Sequence, residues 1–206
     1  MMREGLAQLI GNDPGLEVCG EAGDAHEALE KTAALKPDLV LADITLPGKS
    51  GLELIKDIRS QQPGVLVLAL SMHDEALYAE RVLRAGGRGY IMKEEGGKKI
   101  AQAIHQVLDG QIYVSEKMSA KILEIFSGHG ADVAVSPVEK LTDREFEVFQ
   151  LIGQGLETRH LAEKLHLSTK TIEVHRANIK AKLNLNSMAE LIRYAVRWVE
   201  SQNPGG

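Results

Sequence analysis

The chain is almost without cysteine: Cys19 is the only one among 206 residues, so no internal disulfide can form and an apolar core must hold the fold. Cys19 sits between Val18 and Gly20 in an apolar run, which predicts a strand with a buried thiol. No apolar run approaches the roughly 20 residues needed to cross a bilayer, and no secretory leader is legible; the expected setting is cytoplasmic, with no membrane partner. The seven histidines are scattered without ligand spacing, which argues against a structural zinc site. No internal repeat is evident. What remains is a globular composition, 44% hydrophobic and 26% charged with a net charge of -5, long enough for one ordinary domain and one small one. The charge is unevenly spread. Residues 1–135 hold 14 Lys and Arg against 20 Asp and Glu, while the remainder holds ten against nine. The acidic first part is the wrong half for a polyanion, and the second is the right one.

Residues 1–115 alternate short apolar runs with amphipathic segments, the pattern of a parallel α/β sheet. Strands are predicted at 16–20, 38–42, 65–70 and 89–92, and helices at 25–35, 51–62, 75–85 and 98–108. The runs at 39–42 and 65–70 are apolar on both alternating faces, as strands covered by helices above and below must be. Residues 127–140 lose periodicity and gather Gly and Pro, which reads as a linker within a 116–140 connection.

Open α/β sheets place chemistry at the carboxyl ends of their strands. There Asp43, Ser71 and Lys93 close three successive runs. A carboxylate nucleophile, a hydroxyl and an ammonium suit phosphoryl transfer: Asp43 attacks phosphorus, Lys93 neutralises the acyl phosphate and Ser71 bonds one of its oxygens. Taken singly, Asp43 and Ser71 also fit as caps and Lys93 as a solvated cation. Their joint placement favours the site.

Residues 141–200 read as four short helices. In 158–165, Leu161, Ala162 and Leu165 fall at helical spacing; His166-Leu167-Ser168 breaks the pattern, with Ser168 an N-cap for 169–183. That second helix has Ile172, Ile179 and Leu183 on one stripe and Lys170, Glu173, Val174, Ala177 and Asn178 on another. Two helices joined by three residues describe a bundle hairpin as well as a helix-turn-helix. Between Arg159 and Lys182, however, six basic residues face only Glu163 and Glu173, a local inversion of the chain's sign that suits double-stranded DNA.

The words Leu141-Thr-Asp-Arg-Glu, Gly155-Leu, Leu161-Ala, Ser168-Thr-Lys-Thr-Ile-Glu-Val-His-Arg and Lys182-Leu together resemble the LuxR-type helix-turn-helix of NarL/FixJ response regulators, over nearly all of 138–198. Asn184 replaces the usual Gly after the second helix, and Asn is the next-best residue for a left-handed cap. Asp43-Ile-Thr-Leu-Pro-Gly-Lys-Ser-Gly, Leu70-Ser-Met and Ala85-Gly-Gly-Arg-Gly-Tyr-Ile-Met-Lys resemble the receiver domain of the same family. The resemblance implies a flavodoxin-like doubly wound parallel sheet followed by an all-α four-helix domain. It implies Asp43 as phosphoacceptor, Ser71 as hydroxyl switch, Tyr90 as rotating aromatic, Lys93 as phosphate-neutralising lysine, and Asp43 with the Thr45 carbonyl as Mg²⁺ ligands. The implied partners are a sensor histidine kinase, duplex DNA and a second copy paired through a final helix opened by Ser187 and Glu190. Groove-facing positions are expected at Lys170, Glu173, Val174 and Ala177, with Thr171, Arg176, Asn178, Lys180 and Lys182 toward phosphates.

One departure stands out. A receiver begins with an apolar strand ending in adjacent acids, whereas here Met1-Met-Arg-Glu-Gly-Leu resembles the first helix; the expectation is a start at an internal Met of a longer frame, or a truncation. Without the acid pair, Mg²⁺ lacks oxygen ligands and phosphorylation should be poor. The strand at 16–20 would lie about 9 to 10 Å from the one at 38–42, two strand spacings apart. A phosphorylation-independent DNA-binding regulator is the alternative reading. A phosphatase is disfavoured, because that class pairs its nucleophile with an Asp two residues on and this chain has Thr45.

Overall fold

A local rule opens most of the helices: a short polar side chain turns back onto the first free amides. The computed structural model describes residues 2–72, 75–126 and 137–202, and its contacts divide the chain into two units, Met1–Leu123 and Glu124–Gly206. In the first, α1 (Met2–Gly11), α2 (Ala25–Leu35), β1 (Leu39–Asp43), α3 (Gly51–Gln61), β2 (Leu66–Ser71), α4 (Glu75–Ala85), β3 (Gly89–Met92) and α5 (Gly97–Leu108) follow in order, and α6 (Glu116–Phe126) runs across the boundary between the units. Asp24 caps α2 by accepting from the amides of His26 and Glu27. Ser50 and Glu53 form a reciprocal capping box on α3.

The three strands run parallel in the order β1-β2-β3. Register runs from Leu39 opposite Leu66 to Asp43 opposite Leu70, and from Leu68 opposite Gly89 to Ser71 opposite Met92. Leu68 and Leu70 of β2 join Ile91 and the α5 residues Ile100, Ala103, Ile104 and Val107 in one core cluster. Val67 and Ala69, on the alternate face of β2, are buried as well. A strand buried on both faces is what its unbroken apolar run demanded. The Asp13 carboxylate receives the Gly15 amide and lies 2.9 Å from His105 Nε2, joining the turn after α1 to α5. That imidazole contact, then the Gly15 amide, holds the Asp13 carboxyl below its ordinary range.

Two expectations fail together. Residues 16–20 form no strand, and Cys19 is exposed. Among the described residues no strand pairs with the outer side of β1, and a cavity of about 790 Å³ opens beside it, lined by Leu6, Ile10, Leu16, Val18, Leu39 and Leu41 among others. An apolar run becomes a strand only when another strand takes its amides and carbonyls, and without a covering face the thiol meets solvent.

The second unit holds a short 3-10 turn (Pro137–Lys140), α7 (Asp143–Gly153), α8 (Thr158–Leu165), α9 (Thr169–Leu183) and α10 (Met188–Gln202). Residues 127–136, most of the expected linker, lie outside the described residues. Thr142 and Glu145 make a capping box on α7. Its Phe146 and Phe149 meet Trp198 of α10 edge-on, with ring centroids 5.5 and 5.6 Å apart, a favoured aromatic geometry. At α10, Ser187 caps the Glu190 amide as expected, but the Glu190 carboxylate reaches back to the Asn186 amide and not to Ser187. No helix among the described residues is long and apolar enough to cross a membrane.

Candidate phosphoacceptor site and DNA-facing helix

Strand register alone gathers the first site. Asp43 ends β1 opposite Leu70, Ser71 ends β2 opposite Met92, and Lys93 follows β3 directly. Lys93 Nζ donates to Asp43 Oδ2 at 2.5 Å, and the Thr45 amide donates to Oδ1 at 3.0 Å. Asp43 keeps 32% of its side chain exposed and Lys93 only 11%, so the carboxylate is reachable while its counter-charge is sheltered. Ser71 and Tyr90 are fully buried at the same sheet edge. The structure therefore brings together Asp43, Thr45, Ser71 and Lys93, and puts Tyr90 in the core beside them.

A residue that sequence reasoning passed over shapes this site. The Gly51 amide donates to the Ile44 carbonyl at 2.8 Å, and a Cβ at Gly51 would lie 2.0 Å from the Asp43 carbonyl oxygen and 2.7 Å from Ile44 Cα. Only glycine lets α3 start this close to the end of β1. Both obstacles are backbone, so neither can swing aside. Gly51→Ala is expected to destabilise the first unit by about 3 kcal/mol, the upper end for overpacking. Urea unfolding followed by circular dichroism measures it; a loss under about 0.5 kcal/mol would show that the close approach is dispensable.

The donor set around Asp43 does not fit Mg²⁺. That ion wants near-octahedral oxygen coordination, whereas among the described residues no group of three or more His, Cys, Asp or Glu gathers to supply it. Asp24, which also lines the cavity near Asp43, is committed to its cap.

The second site is the outer face of α9. Ser168 caps it by accepting from the Thr171 amide at 3.0 Å, His166 ends α8 in the left-handed region at φ 53°, and Asn184 ends α9 there at φ 59°. Leu161, Ala162 and Leu165 of α8 and Ile172 and Ile179 of α9 are buried against the unit's core, while Leu183 is half-buried. Lys170, Glu173, Val174, Ala177 and Asn178 share the exposed face, and Val174 is 53% exposed. Thr171, Lys180 and Arg176 are half-buried, and Lys182 is exposed.

Two of the expected phosphate contacts are already engaged inside the unit. Lys182 Nζ donates to Glu145 Oε2 of α7 at 2.6 Å. Burial pulls the Glu145 carboxyl up, but the Lys182 ammonium and the Thr142 donors outweigh it and hold the group below its ordinary range. Arg176, its side chain 13% exposed, donates to Glu173 Oε1 at 2.8 Å and to the Thr158 hydroxyl. The Glu173–Arg176 pair is a local i,i+3 contact that helical spacing signals, whereas Thr158 and Glu145 lie 18 and 37 residues from their cations and carry no signal in the sequence.

A lysine-paired carboxylate at the rim of a parallel sheet, followed by a four-helix unit presenting one polar helix face, is the arrangement of two-component response regulators. The sequence agrees: residues 1–105 match the response regulator receiver domain family, and residues 139–195 match the bacterial regulatory proteins of the luxR family. The oxygen regulatory protein NreC of Staphylococcus haemolyticus (strain JCSC1435) is 34% identical over 201 residues, 96% of this chain and 93% of that protein. A LuxR-family two-component response regulator from Aurantimonas sp. SI85-9A1 is 34% identical in crystal, TM-score 0.56, over 61% of this chain and 90% of its own. RcsB from Salmonella enterica serovar Typhimurium, bound to the promoter P1flhDC in the presence of phosphomimetic BeF3-, shares the fold with TM-score 0.59 and 22% identity, covering 95% of this chain and 93% of its own. The chain belongs to the NarL/FixJ-type response regulators, a family of DNA-binding transcriptional regulators, and is a homologue of the NreC proteins.

Proposed function

We propose that this protein is a cytoplasmic transcriptional regulator, not an enzyme, that lays α9 in the major groove of duplex DNA and is controlled by transfer of a phosphoryl group from a sensor histidine kinase to Asp43. The regulating unit spans 1–115, the connection 116–140 and the DNA-binding unit 141–200. The observation that carries the reading is the exposed face of α9, where Lys170, Glu173, Val174, Ala177 and Asn178 project from a helix pinned underneath by Ile172 and Ile179. Short and varied side chains on an accessible helix face are what base edges require. Thr171 and Lys180, on its flanks, suit phosphate oxygens. Ile192, 42% exposed on α10, supports pairing of two copies through that helix.

The test is salt-dependent binding of the full chain to duplex DNA, followed by fluorescence anisotropy. Affinity is expected to fall steeply with salt, and Lys180→Ala to weaken binding evenly across sequences while flattening the slope by about 1. Absence of salt-sensitive affinity for any duplex sinks the reading. The poor fit of the Asp43 donor set to Mg²⁺ favours one alternative, a regulator that binds DNA independently of phosphorylation and uses the first unit as an interaction surface. Binding that is identical before and after treatment with an acyl-phosphate donor would establish it.

A further inference from the structure

We infer that Glu173 reads an exocyclic amino group of a base, of the kind cytosine N4 presents, and that Arg176 and Thr158 are its positioning residues. This rests on the groove placement of α9 proposed above. Glu173 is the one acidic residue on that exposed face, its side chain 59% exposed. An unsupported carboxylate would be a poor guest there, repelled by two rows of phosphates and free to turn about three side-chain bonds.

The structure meets both difficulties. Arg176 Nη1 donates to Glu173 Oε1 at 2.8 Å, and the Thr158 hydroxyl donates to the same oxygen at 3.2 Å. The Thr158 hydroxyl in turn accepts from Arg176 Nη1, so one hydroxyl donates once and accepts once in a closed three-membered relay. Both bonds fall on Oε1; among the described residues no donor takes Oε2. The carboxylate is held by one oxygen and offers the other, which is the acceptor a cytosine N4 amino group needs.

Sheltering of Arg176 decides its role. A guanidinium turned to a phosphate row would stand in solvent in the free protein, whereas this one is 13% exposed and spent on partners from two helices. The guanidinium neutralises Glu173, so the pair enters the field of the duplex without net charge. Thr158 opens α8, and its bond fixes the Glu173 head group relative to the helix that supports α9.

The test selects bound sequences from a random duplex library with the full chain and measures salt slopes on one fixed duplex. Glu173→Gln, Arg176→Met and Thr158→Val are each expected to relax preference at the same base pair, with discrimination there falling about 10- to 100-fold. Arg176→Met combined with Glu173→Gln, which keeps the pair's net charge at zero, should leave the salt slope within about 0.5 of the parent, and unchanged Trp198 emission confirms folding. An even loss of affinity across sequences with a slope flatter by about 1 would make Arg176 a phosphate contact and overturn the inference. A Thr158→Val chain with parental preference overturns it as well. Both results leave the parent chain binding DNA, whereas failure of the parent chain to bind any duplex removes the DNA reading and this inference together.

Discussion

Arg144→Met is expected to destabilise the DNA-facing unit by about 3 to 5 kcal/mol, the range for removing one partner of a buried ion pair. Arg144 Nη1 donates to Glu147 Oε2 at 2.5 Å, with side chains only 7% and 2% exposed. Its other nitrogen, Nη2, donates to the Leu165 carbonyl at 2.9 Å. That carbonyl belongs to the last turn of α8, where no intrahelical amide is available to it. Methionine fills much of the same volume, so the loss comes from polar groups left behind and not from a cavity. Trp198 is the only tryptophan in the chain and packs on Phe146 and Phe149, so its emission in urea reports this unit alone. The control is Arg144→Met with Glu147→Leu, which removes both charges and should recover most of the loss. A single-variant loss under about 1 kcal/mol would show that the pair is not needed. The consequence reaches function, because the same guanidinium fixes the end of α8, immediately before the turn that delivers α9.

What the sequence discloses about this fold depends on the range of the interaction. The limits of α8 and α9 were legible because 15 residues of α9 repeat one periodicity between two readable caps, Ser168 and Asn184. β2 was legible because an unbroken apolar run between turn signals has few other homes. The gathering of Asp43, Ser71 and Lys93 followed from parallel connectivity, since strands of one direction end on one side. The failure at residues 16–20 has the same logic in reverse: Leu16 and Val18 declare an appetite for burial, but only a neighbouring strand makes a ladder, and sequence-local patterns do not report neighbours. Arg176 and Lys182 show the same limit in side chains. Periodicity places them correctly on α9, yet Thr158 lies 18 residues before Arg176 and Glu145 lies 37 before Lys182. A cation on a helix looks available until its partner is seen. Gly51 is the subtler case, for nothing local distinguishes a glycine required by close approach from one that merely starts a helix.

Asp43→Asn should abolish phosphoryl uptake by the intact chain, and Lys93→Gln should slow it about 10- to 100-fold, the value of one charge-assisted hydrogen bond of about 1.5 to 3 kcal/mol. In the proposed step a carboxylate oxygen of Asp43 attacks phosphorus, the bond from phosphorus to the donor breaks, and an acyl phosphate forms. The amide that Asp43→Asn introduces would keep the shape and one acceptor oxygen but not the nucleophilic charge. Lys93 acts later, when negative charge spreads over the phosphoryl oxygens: its ammonium, now 2.5 Å from Oδ2, needs only a small shift to reach them. It is also 11% exposed, so water screens it little. Intact-mass measurement after incubation with a small acyl-phosphate donor follows one phosphoryl group per chain. Since the Asp43 donor set does not fit Mg²⁺, chelating that ion should change the rate by less than about tenfold, and a larger dependence would show that oxygens outside this set complete a metal site. Uptake by the parent chain that survives Asp43→Asn would move the acceptor elsewhere. If the parent chain takes up nothing while still binding DNA, control by phosphorylation is gone and the phosphorylation-independent reading stands.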